Sequence, residues 1–256
     1  MKVLITFALA NEFAPWRKLR LFKNISIERW DPTYEARIGN SDVCVILTGA
    51  GQFAARRLVE KAFEELTDVF DVCIAAGLSG GLQPAHRPSQ ILTARSVSDV
   101  GGAKSLRADP ELVSRAGAIG AKIVERFLVS DNVVSTADKK CSLGALGDAV
   151  DMESLYILDA AAQRGIRCAS VRAISDGVES DLPLDFDNVF TSRGAVSVSK
   201  VVGQVARRPG RIGGLIRLAR DSKRAAAALA HFLDRYVGGL EEGPVTELAK
   251  AEALAL

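Results

Sequence analysis

Three short, predominantly apolar runs decide what this chain can fold into. Lys2 to Leu9, Val72 to Ala76 and Cys168 to Ile174 read as strands buried on both faces, and such strands need helices above and below them. The helices are legible between them. After Gly51, the residues Phe53, Ala54, Leu58, Ala62, Phe63 and Leu66 recur with helical spacing; Asp109-Pro110 is a cap and first-turn proline for a helix running to about Arg126; and Glu153 to Arg164 is a helix stopped by Gly165. Strands alternating with helices predict an α/β fold, a three-layer sandwich with a central mixed β-sheet flanked by helices.

The finer layout follows from turn chemistry. Lys2 to Leu9 ends at Asn11-Glu12, Ile25 to Trp30 alternates as a strand does, and Tyr34 to Ile38 and Val43 to Leu47 flank Gly39-Asn40 as a hairpin. Val72 to Ala76 runs into GLSGGL, residues 77 to 82, read as a glycine turn. Further strands are expected at Ile91 to Val97, Phe127 to Ser130 and Ala149 to Met152, with a polar, partly helical connection from Ser135 to Leu146. Beyond Asp187 the chain reads as helical to about Tyr236, interrupted at Pro209-Gly210 and Gly213-Gly214. No linker divides it, so one domain is expected over 1–238, followed by a polar, alanine-rich tail, 239–256, expected to be mobile.

Composition narrows the functional classes. The apolar run at the N-terminus is too short for a signal peptide or a membrane span, and Cys44, Cys73, Cys141 and Cys168 form no CxxC pair, so reduced thiols in a cytoplasmic protein are expected. Net charge is +2, but Arg193, Lys200, Arg207, Arg208, Arg211, Arg217, Arg220, Lys223 and Arg224 face only Asp221, a local +8 that leaves −6 for the remainder. No aromatic lies between Arg193 and His231, so the region lacks the stacking groups of a nucleic-acid platform. It is either a solvated face or a peripheral contact with an anionic membrane surface.

Two acidic clusters sit at strand ends, Asp151/Glu153 and Asp176/Glu179/Asp181, where open α/β sheets keep their ligands. Asp151 and Glu153 also suit a helix N-terminus on charge grounds alone. Burial at a strand end favours the protonated form of Asp176, which could then carry a proton. Arg172 points to the same face as Asp176 and needs an acidic partner, for which Glu153 is the expected choice. Gly77-Leu78-Ser79-Gly80-Gly81 spells a GxSxG nucleophile elbow, and Asp176 and His231 follow in hydrolase order. Against it, His231 sits in a helical pattern and His86 in a loop, with no His-Gly-Gly segment upstream. The other reading is a backbone that approaches a purine, ribose or phosphate closely. A P-loop and GxGxxG are both missing, so neither ATP nor NAD is indicated.

Glu12 after the first strand, GLSGGL, Met152-Glu153 and VRAISD at 171 to 176 together resemble the nucleoside phosphorylase and nucleosidase superfamily, most of all its 5'-methylthioadenosine/S-adenosylhomocysteine nucleosidases, over residues 1 to about 190. The segment RRPGRIGGLIRLARDSKRAAAAL is similar to hopanoid-associated nucleoside phosphorylases.

That resemblance implies a purine nucleoside as substrate, no metal or organic cofactor, and a homodimer whose second subunit often closes the pocket. It implies catalytic roles for Asp176, protonating purine N7, for Glu12, positioning or deprotonating water, and for Arg172, orienting Glu153. Glu153 would hold the ribose hydroxyls with Met152 packed on the sugar. Asp151, Val133, Val134, Gly77, Leu78, Ser79 and Ser175 complete the implied substrate-binding set. Two departures weigh on the reaction. The family's base-stacking aromatic is Val133 here, and an arginine that some members use for phosphate is Ala75. Glu12 would repel phosphate, so hydrolysis is expected over phosphorolysis unless Arg56, Arg57 or Arg87 reaches the pocket. The phosphorylase, acting on a lipid-linked nucleoside, and a Ser79-dependent esterase are the alternatives.

Overall fold

The computed structural model describes residues 1–25, 33–66, 69–185, 189, 197, 200, 204 and 209–241. Among them, ten strands form one mixed sheet: β1 Lys2–Phe7, β2 Lys23–Asn24, β3 Thr33–Ile38, β4 Ser41–Leu47, β5 Val72–Gly81, β6 Ile91–Asp99, β7 Ser105–Arg107, β8 Lys122–Val129, β9 Ala149–Asp151 and β10 Arg167–Asp176. The helices are α1 Ala10–Leu19, α2 Gln52–Glu65, α3 Pro110–Ala118, α4 Ala137–Leu143, α5 Ser154–Ala162 and α6 Ile212–Gly238. Strands β4, β1, β5 and β10 run parallel side by side, and β10 continues antiparallel into β6. From β6 the sheet passes through parallel β8 and β9 and returns antiparallel to the far half of β5. Five strands thereby close into a ring at one end of the sheet.

Alternate residues of the central strands feed opposite layers, as buried strands require. Val3, Ile5 and Phe7 of β1, with Val72 and Ile74 of β5, pack under α1, α3 and the second half of α6. Leu4, Cys73 and Ala75 pack under α2 and α5. This is the expected α/β sandwich. Cys44, Cys73 and Cys168 are buried within it and form no disulfide, and burial pushes the Cys168 thiol up to about 11.

Three local expectations are corrected. The glycine run is strand, not turn: Gly80 and Gly81 pair with β9 on one edge while Ser79 and Gly80 pair with β10 on the other. Squeezed between two strands, these positions need small residues; a Cβ on Gly81 would lie 3.3 Å from His86 O and 3.4 Å from Asp176 O. Helix α3 ends at Ala118, well before Arg126, because Gly120 takes a left-handed φ of 105° and Gly117 lets β8 in, an added Cβ meeting Ile123 Cδ1 at 2.6 Å. Helix α6 runs through Gly213-Gly214 unbroken. The hairpin at Gly39-Asn40 forms as expected, with Ile38 opposite Ser41. Residues 26–30 of the strand expected from Ile25 to Trp30, the tail from 242, and Arg193, Arg207 and Arg208 of the basic region lie outside the described residues.

Helix α1 is not expected from the sequence, its pattern being broken by Pro15. Tertiary packing holds it: Phe13 and Trp16 meet Phe7, Phe22 and Tyr34 at ring separations of 4.9–6.4 Å. Asp234 of α6 ties it down, accepting from Arg20 at 2.7 and 2.8 Å and from Trp16 Nε1 at 3.3 Å. The result fixes the helix whose first turn carries Glu12.

Candidate active site

The parallel strands β1, β5 and β10 end on one side of the sheet, and a cavity of about 260 Å³ opens there. Glu12 enters from the first turn of α1. Its Oε1 accepts from Leu78 N at 3.1 Å and its Oε2 from Leu9 N at 3.1 Å, which aims the carboxyl across the end of β5. Burial pushes its pKa up, while the Arg172 guanidinium opposes the rise.

The acidic pair at the start of α5 divides its labour. Asp151 turns inward: Oδ1 accepts from Glu153 N and Ser154 N, both at 2.9 Å, and Oδ2 accepts from Ser154 Oγ at 2.5 Å. It therefore satisfies the open N–H groups of the helix start, although its edge reaches the cavity. Glu153 makes no cap bond; it lines the cavity and accepts from Gly51 N at 2.8 Å. Burial raises the Glu153 pKa to about 7, with Arg172 resisting and Asp151 assisting the rise.

Arg172 is almost wholly buried under these acids and does not line the cavity. Its principal partner is Asp151, Nε to Oδ2 3.0 Å, supplemented by Ser154 Oγ at 2.7 Å from Nη2; Glu153 Oε2 is 4.0 Å away. The expected pairing with Glu153 is thus the weaker of two. Room for the guanidinium exists because residue 77 is glycine: a Cβ there would sit 2.3 Å from Arg172 Nη1. Gly77 accordingly lies beneath the site and not on its wall.

Asp176 closes β10 just after a register shift between Ile174 and Asp176, a bulge that turns its carboxyl toward the cavity. Ser175 Oγ donates to Asp176 Oδ1 at 2.5 Å and lies 3.1 Å from Ser79 O. Lys140 Nζ, from α4, donates to Asp176 Oδ2. Nothing in the sequence marks this lysine, which lies in a polar segment and is nonetheless fully buried. Nor does the sequence mark Asn132, Leu182, or Leu218 and Ser222 of α6 as site residues, all of them on the cavity wall with the expected Leu78, Ser79, Val133, Val134 and Met152.

No esterase triad assembles. Ser79 lies within β5, and its buried Oγ has no hydrogen-bond partner. His86 Nε2 faces Asp148 at 3.2 Å, and His231 is an exposed residue of α6. Arg56, engaged with Glu60, does not line the cavity, nor do Arg57 and Arg87; among the described residues its wall holds no basic side chain.

Residues 2–207 match the model of the phosphorylase superfamily. The chain belongs to that superfamily. Solved structures share its fold at low identity. A Helicobacter pylori 5'-methylthioadenosine/S-adenosylhomocysteine nucleosidase with butyl-thio-DADMe-Immucillin-A has a TM-score of 0.72 at 16% identity, with 94% of this chain and 99% of that one covered. The native futalosine hydrolase of the same organism gives 0.72 at 15%, covering 94% and 98%. A Neisseria meningitidis nucleosidase with methylthio-immucillin-A gives 0.69 at 18%, covering 93% and 99%. Among curated proteins, none matches the chain.

Proposed function

We propose that this phosphorylase-superfamily protein hydrolyses the N-glycosidic bond of a purine nucleoside, with a 5'-substituted adenosine of the methylthioadenosine or S-adenosylhomocysteine type as substrate. The observation that carries the reading is the convergence of Glu12, Glu153 and Asp176, remote along the chain, on one cavity. When the bond from C1' to the base breaks, its electron pair leaves with the base and positive charge grows on the sugar. A carboxylate at Glu153 stabilises that charge and accepts hydrogen bonds from the ribose hydroxyls, while Asp176 delivers a proton to N7 of the departing ring. Water attacks C1' and gives its proton to Glu12, whose burial makes it the stronger base. Solvent then carries a proton from Glu12 back to Asp176, and the sites are reset. Val133 and Met152 supply apolar contact to base and sugar, and Leu182 and Leu218 suit an apolar 5' group.

Hydrolysis is preferred to phosphorolysis because an anion entering this cavity would meet buried acids, while the cations behind them, Arg172 and Lys140, are paired with those acids and do not line the wall. The test is to incubate the protein with adenine nucleosides with and without phosphate and to follow free base. Equal release in both is the expected result. Strict dependence on phosphate would replace the nucleosidase by a phosphorylase, and release from no purine nucleoside would remove the reading.

A further inference from the structure

Lys140 is among the largest fully buried side chains of the protein, and it lies outside the cavity wall. All of its donors are used: Nζ donates to Asp176 Oδ2, to Ser180 O at 2.7 Å and to Gly177 O at 3.2 Å. A buried ammonium is costly, and two carbonyl oxygens alone are a poor return for it. Among the described residues, its one charged partner is the carboxylate at the end of β10 that faces the cavity. Asp176 therefore has both oxygens held, Oδ2 from behind by Lys140 and Oδ1 from the side by Ser175.

We infer that Lys140 is a positioning residue for the proton transfer at Asp176, fixing the orientation of the carboxyl and compensating the negative charge that returns to it as the proton leaves for the base. The inference rests on the nucleosidase reading above. The balance is simple: Asp176, protonated from solvent beforehand, passes that proton to the ring nitrogen, Lys140 keeps all three of its own, and the transfer restores the Lys140–Asp176 ion pair. Low local dielectric makes a neighbouring ammonium effective at that moment. The same side chain holds the segment that follows β10, through Gly177 and Ser180, near the cavity wall formed by Leu182. A purely structural lysine would do only the latter.

A double-mutant cycle on base release separates the two roles. Lys140→Met is expected to lower kcat by about 10²-fold with KM changed little, in line with the worth of assisted proton transfer. In an Asp176→Asn background the same substitution is expected to cost little more, because the group it serves is gone. Lys140→Arg, which keeps the charge, should restore part of the loss. If Lys140→Met does not fold, Lys140→Gln carries the same cycle, since it keeps a donor for the carbonyls of Gly177 and Ser180. Equal losses in both backgrounds, or a loss confined to KM, would overturn the inference while leaving the nucleosidase intact. A wild-type protein that releases no base would overturn the nucleosidase and this inference with it.

Discussion

At the scale of the residue, Glu12, Asp151 and Glu153 share one buried cation, Arg172. Burial raises the Glu153 pKa from an ordinary 4.5 to about 7, and Arg172, bound closely to Asp151 and 4.0 Å from Glu153, offsets the rise only in part. The folded value lies above the unfolded one. The stability due to this group is then complete below about pH 4.5 and is lost as pH rises through about 7, on the order of 3 kcal/mol in all. Catalysis requires the opposite state, a carboxylate under the ribose. The expected outcome is that kcat/KM rises through about pH 7 while the melting temperature falls over the same interval, and that Glu153→Gln flattens the fall. Wild-type and Glu153→Gln proteins whose melting temperatures change in parallel with pH would contradict this assignment. The sequence showed which acids sit at strand ends, but not that Asp151 would turn inward: an acid two residues before a helix and an acid at its cap look equivalent until the cap bonds are drawn.

At the scale of the element, the central strands were legible because their hydrophobicity is nearly continuous, and the hairpin because Gly39-Asn40 favours a tight turn. What escaped notice depends on contacts between distant segments. Helix α1 is held by an aromatic cluster and Asp234, more than two hundred residues on. The strand character of Gly77 to Gly81 comes from β9 and β10 pressing on both edges, which a local reading takes for a turn. Lys140 belongs to the same class, since a lysine in a polar segment gives no hint of its burial. Helix α6 divides into a buried second half and an open first half, where Ile212 and Ile216 are exposed beside Arg211, Arg217, Arg220, Lys223 and Arg224. No helix among the described residues is long and apolar enough to cross a membrane. We propose that this open half lies on an anionic membrane surface, its cations drawn to acidic headgroups and its isoleucines to the interface. Co-sedimentation should then rise with the anionic lipid content of vesicles and drop on Arg217→Glu/Arg220→Glu; binding indifferent to lipid charge would refute it.

At the scale of the whole molecule, the phosphorylase-superfamily fold brings three regions of the chain to one place. The parallel strands end together, α1 and α5 begin there, and the bulge in β10 turns Asp176 into the opening. Gly77 leaves space for Arg172 below, and Lys140 seals Asp176 from behind. The cavity, at the small end of ligand pockets, is bounded on one side by Leu218 and Ser222 of α6, so the C-terminal helix shapes the substrate space as well as covering the sheet. The central claim is that Asp176 hands a proton to a leaving purine. It is tested most directly by comparing kcat/KM for adenine release from 5'-methylthioadenosine by the wild-type protein and by Asp176→Asn, both shown folded by circular dichroism. The account predicts a loss of about 10²- to 10⁴-fold in the variant; equal turnover by the two proteins would contradict it.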